Sequence, residues 1–599
     1  MSHEVKMPSE KIDAASSTEH MEKVEAVKQV HTDGTVDMVD THAIGGELAE
    51  MPAGYFRSIQ FIGTVIAVCT GSICAYLGWV LPANTLMLIN QDIGPSPNIG
   101  WVGTVWILGS AVGFLLVGRL SDIFGRKWMV IGTTVLSIVG NIVGATAKSI
   151  ETLIAANACN GVAAAGQLSF GIVLGELVPN KQRGPIVTLV FMSSLPFAVF
   201  GPIIARAFID NTAQGWRWSY YLGIIFGAIT IVLYQFLYHP PTYKQLHVHG
   251  KTKWQAFKEL DFIGIFLFIA GCTLFLIGVS WGGQAYPWTS AHVLCTIIIG
   301  IFTLVGFGLY EQYLCHTIPL MPPRLFKDVG YVAIVVAACI GAMVYYSMTV
   351  VWPTLITTVY TADVIKVGWQ SSVVGGGILL GQLVGGFALS YVPKVKLQCI
   401  ILSVLSTAFV GSLAALEADT HTFVITMGTL GCFVIGWIDN ITFPGVTLVI
   451  EPQDIGLATG VLGSIRALGG AVAQAIYVSI LTNKAGQFIP AMVVPAATGA
   501  GLPASSLPAL FQGITAGNFT AVPGINTQII AATGLAVRDA YVRTFHYVFY
   551  ATIPFSVLLI VACCFIPDMD KYLHNNVAKR LQRMGSKEGV AHVDGAEKV

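Results

Sequence analysis

The 599-residue chain is 54% hydrophobic and only 11% charged, and its 32 Lys and Arg offset 32 Asp and Glu. A mean hydropathy of +0.71 with so little charge excludes an ordinary water-soluble protein of this length. The neutral balance also argues against a nucleic-acid partner, and the implied surroundings are a lipid bilayer.

Residues 1–57 are polar and charged, with no short apolar segment near Met1 of the signal-peptide kind, and are expected to form a disordered cytoplasmic tail. Beyond them come about fourteen apolar runs, each close to the roughly 20 residues that a helix needs to cross the hydrocarbon core. The predicted spans are 59–83, 98–118, 128–147, 152–178, 186–208, 217–238, 262–281, 291–314, 330–359, 369–391, 397–416, 422–449, 455–482 and 544–566. An even number of spans puts both tails on one side. The tails and alternate loops are rich in Lys and Arg, including Arg119, Arg126, Lys127, Lys181, Arg183, Lys251, Lys253, Lys258, Arg324, Lys327, Lys394 and Lys396. The opposite loops hold few, such as Lys148, Arg217 and Lys484, so the positive-inside rule places both tails in the cytoplasm.

This order predicts an all-α membrane protein arranged as six spans, two extra spans and six more. Residues 58–238 form the first bundle, 239–328 a charged cytoplasmic linker plus the extra pair, and 329–567 the second bundle with a long outer loop at 484–543. Residues 568–599 form a second cytoplasmic tail. The ends of the second and tenth spans echo each other, Gly118-Arg119-Leu120-Ser121 against Gly386-Phe387-Ala388-Leu389-Ser390, as a duplicated unit would leave them. Asn518-Phe519-Thr520 in the outer loop is a glycosylation sequon, whereas Asn440-Ile441-Thr442 lies inside a span and is unusable. The 11 cysteines are scattered, mostly within apolar runs, without metal or disulfide spacing. They read as packing residues, and no metal or cofactor is expected.

Between the second and third spans lies Gly118-Arg119-Leu120-Ser121-Asp122-Ile123-Phe124-Gly125-Arg126-Lys127. Its glycines permit a tight turn, and Asp122 at the membrane boundary calls for a basic partner such as Arg126. With its position and the span count, this loop closely resembles the signature of the major facilitator superfamily. The resemblance implies two six-helix halves that rock about a central site, with the loop stabilising the outward-facing state. It assigns Asp122 to the start of span 13 and pairs Arg126 with Glu176 at the end of span 4. The extra central pair looks like the fourteen-helix drug:proton antiporters. Trp101, Trp106, Gly175-Glu176-Leu177-Val178-Pro179-Asn180-Lys181 and Phe200-Gly201-Pro202 resemble the fungal trichothecene-efflux-pump-like branch. Fungal siderophore transporters share the same layout. The chain departs from the antiporters at Ile73, where they carry Asp, at Asn157, where they carry Arg ahead of Gly161, and at Ala205-Arg206, where they carry glycines. These departures weaken the case for proton coupling through the first half. Gly201-Pro202 still predicts a helix kink.

Asp439 and Arg466 each lie about 11 residues, or about 16 Å, from the cytoplasmic end of their spans, near mid-membrane. Neighbouring antiparallel helices can bring them together, either as a proton- or substrate-coupling pair or as a structural ion pair. Glu311 reads as interfacial. Trp79, Gln167, Tyr345, Tyr346, Trp352, Gln382, Trp437, Asn440, Gln474 and Tyr477 are candidate cavity residues, suited as a set to a bulky amphipathic organic substrate. Gly377, Gly381 and Gly385 give span 10 one small face for close helix contact, and for sliding. No nucleotide loop or catalytic motif is present, so the expectation is a non-enzymatic, gradient-driven plasma-membrane exporter of toxic organic compounds in exchange for protons. A vacuolar or vesicle membrane, a proton-coupled importer of iron–siderophore complexes and a non-transporting receptor are the alternatives.

Overall fold

The computed structural model describes residues 54–241 except 97, 253–579 except 283–285, 316, 318, 453 and 517, residue 581, and strands between 26 and 47. Thirteen helices among the described residues are long and apolar enough to cross a membrane. In hydrocarbon each backbone N–H and C=O must be paired within its own segment, so these apolar runs have no alternative to helix.

The first half contains α1 (Ile59–Ala83), α2 (Ile99–Phe124), α3 (Arg126–Ala145), α4 (Ile150–Gln167), α5 (Phe170–Leu177), α6 (Arg183–Ser193), α7 (Leu195–Ala198), α8 (Gly201–Asn211) and α9 (Trp218–Leu237). The pair α10 (Phe262–Trp281) and α11 (Ala291–Leu309) follows. The second half holds α12 (Val329–Leu355), α13 (Val364–Tyr391), α14 (Val395–Ser412), α15 (His421–Val449), α16 (Ile455–Gly499), α17 (Leu507–Ala516), α18 (Thr527–Tyr550) and α19 (Ile553–Phe565). Short polar side chains start several of them. Ser58 accepts from the Phe61 amide, Asp261 from Gly264, Ser290 from Val293 and Asp328 from Gly330 and Tyr331.

The expected span at 186–208 is not one continuous helix. It runs as α6, α7 and α8, interrupted at Ser194 and at Val199–Phe200, with Pro196 and Pro202 each within the first two positions of the following piece. Proline lacks the amide that a continuous helix would need there. The Gly201-Pro202 kink is present, and Pro196 adds a second.

Two expectations are corrected. The 484–543 segment is largely helical rather than a loop. α16 has 45 residues, about 68 Å at 1.5 Å per residue, more than twice the roughly 30 Å hydrocarbon core. Its projecting end packs with α17 and α18 around Val493, Ala497, Leu502, Leu510, Val522 and Ile529, an apolar core of its own. The tails, expected to be unstructured, contribute strands: β1 (Ala26–Val30) pairs with β2 (Val36–Asp40), and β3 (Ile44–Glu47) with β4 (Asn576–Lys579) from the other end of the chain.

The halves meet along two seams. α2 runs against α16, with Gly118 so near Gly456 and Gly460 that a Cβ there would lie 3.0 Å from the Gly456 carbonyl oxygen. α6 to α8 run against α13, where added Cβ atoms on Gly375 and Gly386 would meet the Ala198 carbonyl and the Thr188 hydroxyl. By contrast Gly377, Gly381 and Gly385 face Cys432, Phe433 and Trp437 of α15, inside the second half. They are packing positions and not the surface between halves. The extra pair stands beside α16, whose Ser479 hydroxyl donates to the Gly282 carbonyl at 2.8 Å.

Candidate functional site: a central cavity between the halves

A narrow cavity lies where the seams part. α1 supplies Ala75, Tyr76 and Trp79, α2 supplies Trp106 and Phe114, and the break between α4 and α5 supplies Leu168 and Phe170. Phe191 comes from α6, Tyr345 and Tyr346 from α12, Phe443 from α15 and Arg466 from α16. The wall is therefore aromatic, with one cation. Trp79 stacks on Trp106 at 5.1 Å between ring centroids, and Tyr346 from the other half meets Trp79 edge-on at 5.7 Å. Towards the face that carries the basic loops, Phe170 stacks on Phe443 at 5.2 Å, with Phe191 edge-on to Phe170 at 5.2 Å. Aromatic layers contributed by both halves thus bound the cavity above and below. The indole N–H groups of Trp79 and Trp106 are buried without a protein acceptor. An unpaired buried donor is costly, and the Trp106 nitrogen lies against Gly78 of α1.

The two mid-membrane charges do meet. Arg466 donates through Nε and one terminal nitrogen to Asp439 Oδ1 at 3.1 and 2.9 Å, and through the same terminal nitrogen to Oδ2 at 3.1 Å. Gln382 donates to Oδ2 at 2.8 Å. Asp439 is 3% exposed and does not line the cavity; Arg466 does, lying over the Phe443 ring at 5.6 Å. The carboxylate stands behind the guanidinium and holds it.

Beside this pair Asn440 donates to Thr188 Oγ1 at 2.7 Å and to the Gln382 carbonyl at 2.5 Å, tying α15 and α13 to α6. On the basic face Arg126 bridges Asp122 Oδ1 at 2.6 Å and Glu176 Oε1 at 2.8 Å, as expected, and donates to Ser121. The resemblance puts Asp122 itself at the start of span 13. The Arg126 guanidinium, Asp122's partner, lies against Gly456 there. Lys127 turns away to the Gln235 carbonyl at 2.7 Å, and Gly125 takes a positive φ of 96° between α2 and α3, where glycine is unstrained. Arg183 reaches across the halves to the Thr447 carbonyl at 2.5 Å. On the opposite face Arg206 does the same, donating to Asn84 O and to Val364 O at the start of α13, both at 3.2 Å. The halves are latched on both sides of the cavity.

Of the ten candidate cavity residues, Trp79, Tyr345 and Tyr346 line it. Gln382 and Asn440 hold the polar network behind it. Gln474 sits outside the wall, against Gly103, and Gln167 lies at the end of α4 beside Leu168. Trp352 donates to the Gln370 carbonyl at 3.0 Å. Trp437 lines a separate groove with Leu383, Phe387 and Tyr391, and Tyr477 a separate apolar cavity inside the second half with Val410 and Phe549. Sequence reasoning misses Tyr76, Phe114, Phe170, Phe191 and Phe443, because an aromatic side chain inside an apolar run looks the same whether it faces lipid or a cavity. Ala75, Tyr76 and Trp79 do share one helix face by spacing, and that spacing could have found Tyr76.

The residues that depart from the antiporter pattern are structural here. Asn157 donates to the Val102 carbonyl at 3.2 Å and accepts from Tyr220. Glu311, expected at the interface, is buried. Its Oε1 accepts from the Leu320 and Met321 amides at 2.9 and 3.2 Å, holding the chain that follows α11. Asp261, Glu311 and Cys315 bring potential metal-ligand atoms within 4.8 Å of one another. One oxygen of each carboxylate is already engaged, since Asp261 caps α10 and accepts from the Tyr310 hydroxyl at 3.0 Å.

The family model described as fungal trichothecene efflux pump matches residues 24–596. The chain is 32% identical over 556 residues to the trichothecene efflux pump TRI12 of Fusarium sporotrichioides, covering 91% of this chain and 92% of that one. Its likeness to the pump of the same name from Trichoderma arundinaceum is 30% over 559 residues, covering 91% and 92%. The MFS-type transporter prx5 of Penicillium rubens is 28% identical, over 80% of this chain and 89% of that one. Among solved structures, the proton:xylose symporter XylE superposes with a TM-score of 0.51 at 13% identity, covering 87% of this chain and 99% of that one. At that identity the match shows the fold, which is that of the major facilitator superfamily.

Proposed function

Because the chain belongs to the fungal trichothecene efflux pump family, we propose that it exports amphipathic, oxygen-bearing organic compounds of the trichothecene kind in exchange for protons. The observation that carries this reading is the cavity itself: aromatic walls from both halves, two indole donors without acceptors, and a guanidinium held from behind by a carboxylate. Aromatic faces suit a rigid apolar skeleton, and the donors suit its ester, ether or hydroxyl oxygens. Relatives named as efflux pumps favour export over siderophore import, and the cavity favours transport over a receptor role.

Proton arrival at Asp439 would remove the charge that binds Arg466, leaving the guanidinium free to swing within the cavity. Substrate and proton would then compete through one side chain, as antiport requires. Closure on both faces supports an occluded intermediate. Opening either face requires breaking the Arg183–Thr447 and Gly118–Gly456 contacts on one side, or the Arg206–Val364 bond on the other. We place the basic face in the cytoplasm, with fourteen membrane crossings if α6–α8 counts as one, and the protein in the plasma membrane. A proton gradient supplies about 2.3 kcal/mol per charge per 100 mV, and no nucleotide-binding motif offers another drive.

The test is a substrate panel in proteoliposomes under an imposed pH gradient. Trichothecene-type compounds should accumulate on the side that loses protons, and a protonophore should abolish the movement. Uptake of iron–siderophore complexes without any toxin movement would reverse the assignment.

A further inference from the structure

We propose that the carboxyl-terminal segment after α19 is a strap that fastens the basic face shut, with Lys579 as a positioning residue of the gate. The segment leaves the second half firmly anchored there. Met569 is fully buried against Gly445 of α15, and Asp570 accepts the Lys394 amide at 3.0 Å. It then crosses to the first half. The Tyr572 carbonyl accepts from Asn180 at 3.2 Å, and the His574 carbonyl accepts the Lys181 amide at 3.2 Å. β4 pairs antiparallel with β3, Ile44 opposite Lys579 and Gly46 opposite Val577, and the Leu581 amide donates to the Tyr55 hydroxyl at 3.2 Å.

At the end of this path Lys579 Nζ lies 2.9 Å from Glu176 Oε1, the same oxygen that Arg126 holds at 2.8 Å. The Glu176 side chain is 4% exposed and that of Lys579 19%, so water screens the contact weakly. A residue at the far end of the chain thereby joins the Asp122–Arg126–Glu176 cluster that latches α2 and α5. Separating the halves on this face must pull Lys579 from Glu176 and strip the strap from Asn180 and Lys181. Each contact exists only while the face is closed, so each biases the equilibrium towards closure. The strap acts on the proposed transport cycle, but its bias is readable without any substrate.

The test uses the full-length protein in nanodiscs, without substrate, with spin labels replacing the exposed Trp128 and Lys396 in a background free of other reactive cysteines. Lys579→Ala, and separately a chain ending at Tyr572, should raise the population with the long inter-label distance by about fivefold or more. Lys579→Arg should keep the starting distribution. Unchanged distances in both the alanine variant and the shortened chain would overturn the strap. A toxin panel that moves nothing through the wild-type protein would overturn the substrate reading and leave the strap standing.

Discussion

At position 439 a carboxylate interrupts an otherwise apolar helix, and its surroundings show what keeps it there. Three hydrogen bonds from Arg466 and one from Gln382 occupy both oxygens, so the charge is buried but fully partnered. Removing one member of a buried pair outright costs about 3–5 kcal/mol, which predicts poor folding for Asp439→Ala. Asp439→Asn keeps the shape and one acceptor oxygen for Arg466 while removing the ionisable group. It is expected to fold and bind substrate, measured by thermal shift and ligand binding, but to lose pH-driven transport in proteoliposomes. Retained coupling would exclude Asp439 as the proton carrier. That the two charges share a depth was legible from counting residues along their spans. That Arg466 faces the cavity while Asp439 stands behind it was not, because rotation about each helix axis is set by neighbours.

Among the elements, the α2–α16 seam carries the sharpest prediction. It depends on glycine, since a Cβ on Gly118 would press on backbone atoms of Gly456 and Gly460, which cannot swing aside as a side chain can. Gly118→Val should therefore disfavour the closed basic face by about 1–3 kcal/mol, the usual cost of overpacking. Turnover should fall at least several-fold while substrate binding persists. Gly132, with open space around its Cβ position, provides the control, and Gly132→Ala should transport normally. Equal loss in both variants would show that the effect is helix stability and not the seam. The broken α6–α8 element belongs here too. Pro202 was readable as a kink, whereas the separate break at Ser194 depends on Pro196, whose effect the apolar run concealed.

For the whole molecule, the helical cap built by α16, α17 and α18 lies on the face opposite the basic loops. Asn518 within it is exposed, and its Oδ1 accepts from the Thr520 amide and hydroxyl at 3.0 and 2.8 Å, leaving the amide nitrogen open to modification. If this face is outside the cell, the protein should carry a glycan there. Endoglycosidase should then increase its gel mobility, and Asn518→Gln should remove that sensitivity. A wild-type protein insensitive to the enzyme but modified by membrane-impermeant reagents at its tails would reverse the orientation.

Sequence alone determined that the chain is a bundle of membrane helices, where most of them lie, and which charges pair at the end of the second span. Those features follow from local chemistry: hydrocarbon requires uninterrupted apolar helices, and a charge cluster at a membrane boundary requires partners a few residues or one span away. Tertiary structure decided which face of each helix meets the other half, and hence which aromatic residues bound a cavity and which meet lipid. It also turned a stretch that looked like a loop into a packed cap, and brought β3 and β4 from opposite ends of the chain into one sheet. Such pairings join residues hundreds of positions apart, and no periodicity along a single segment records them.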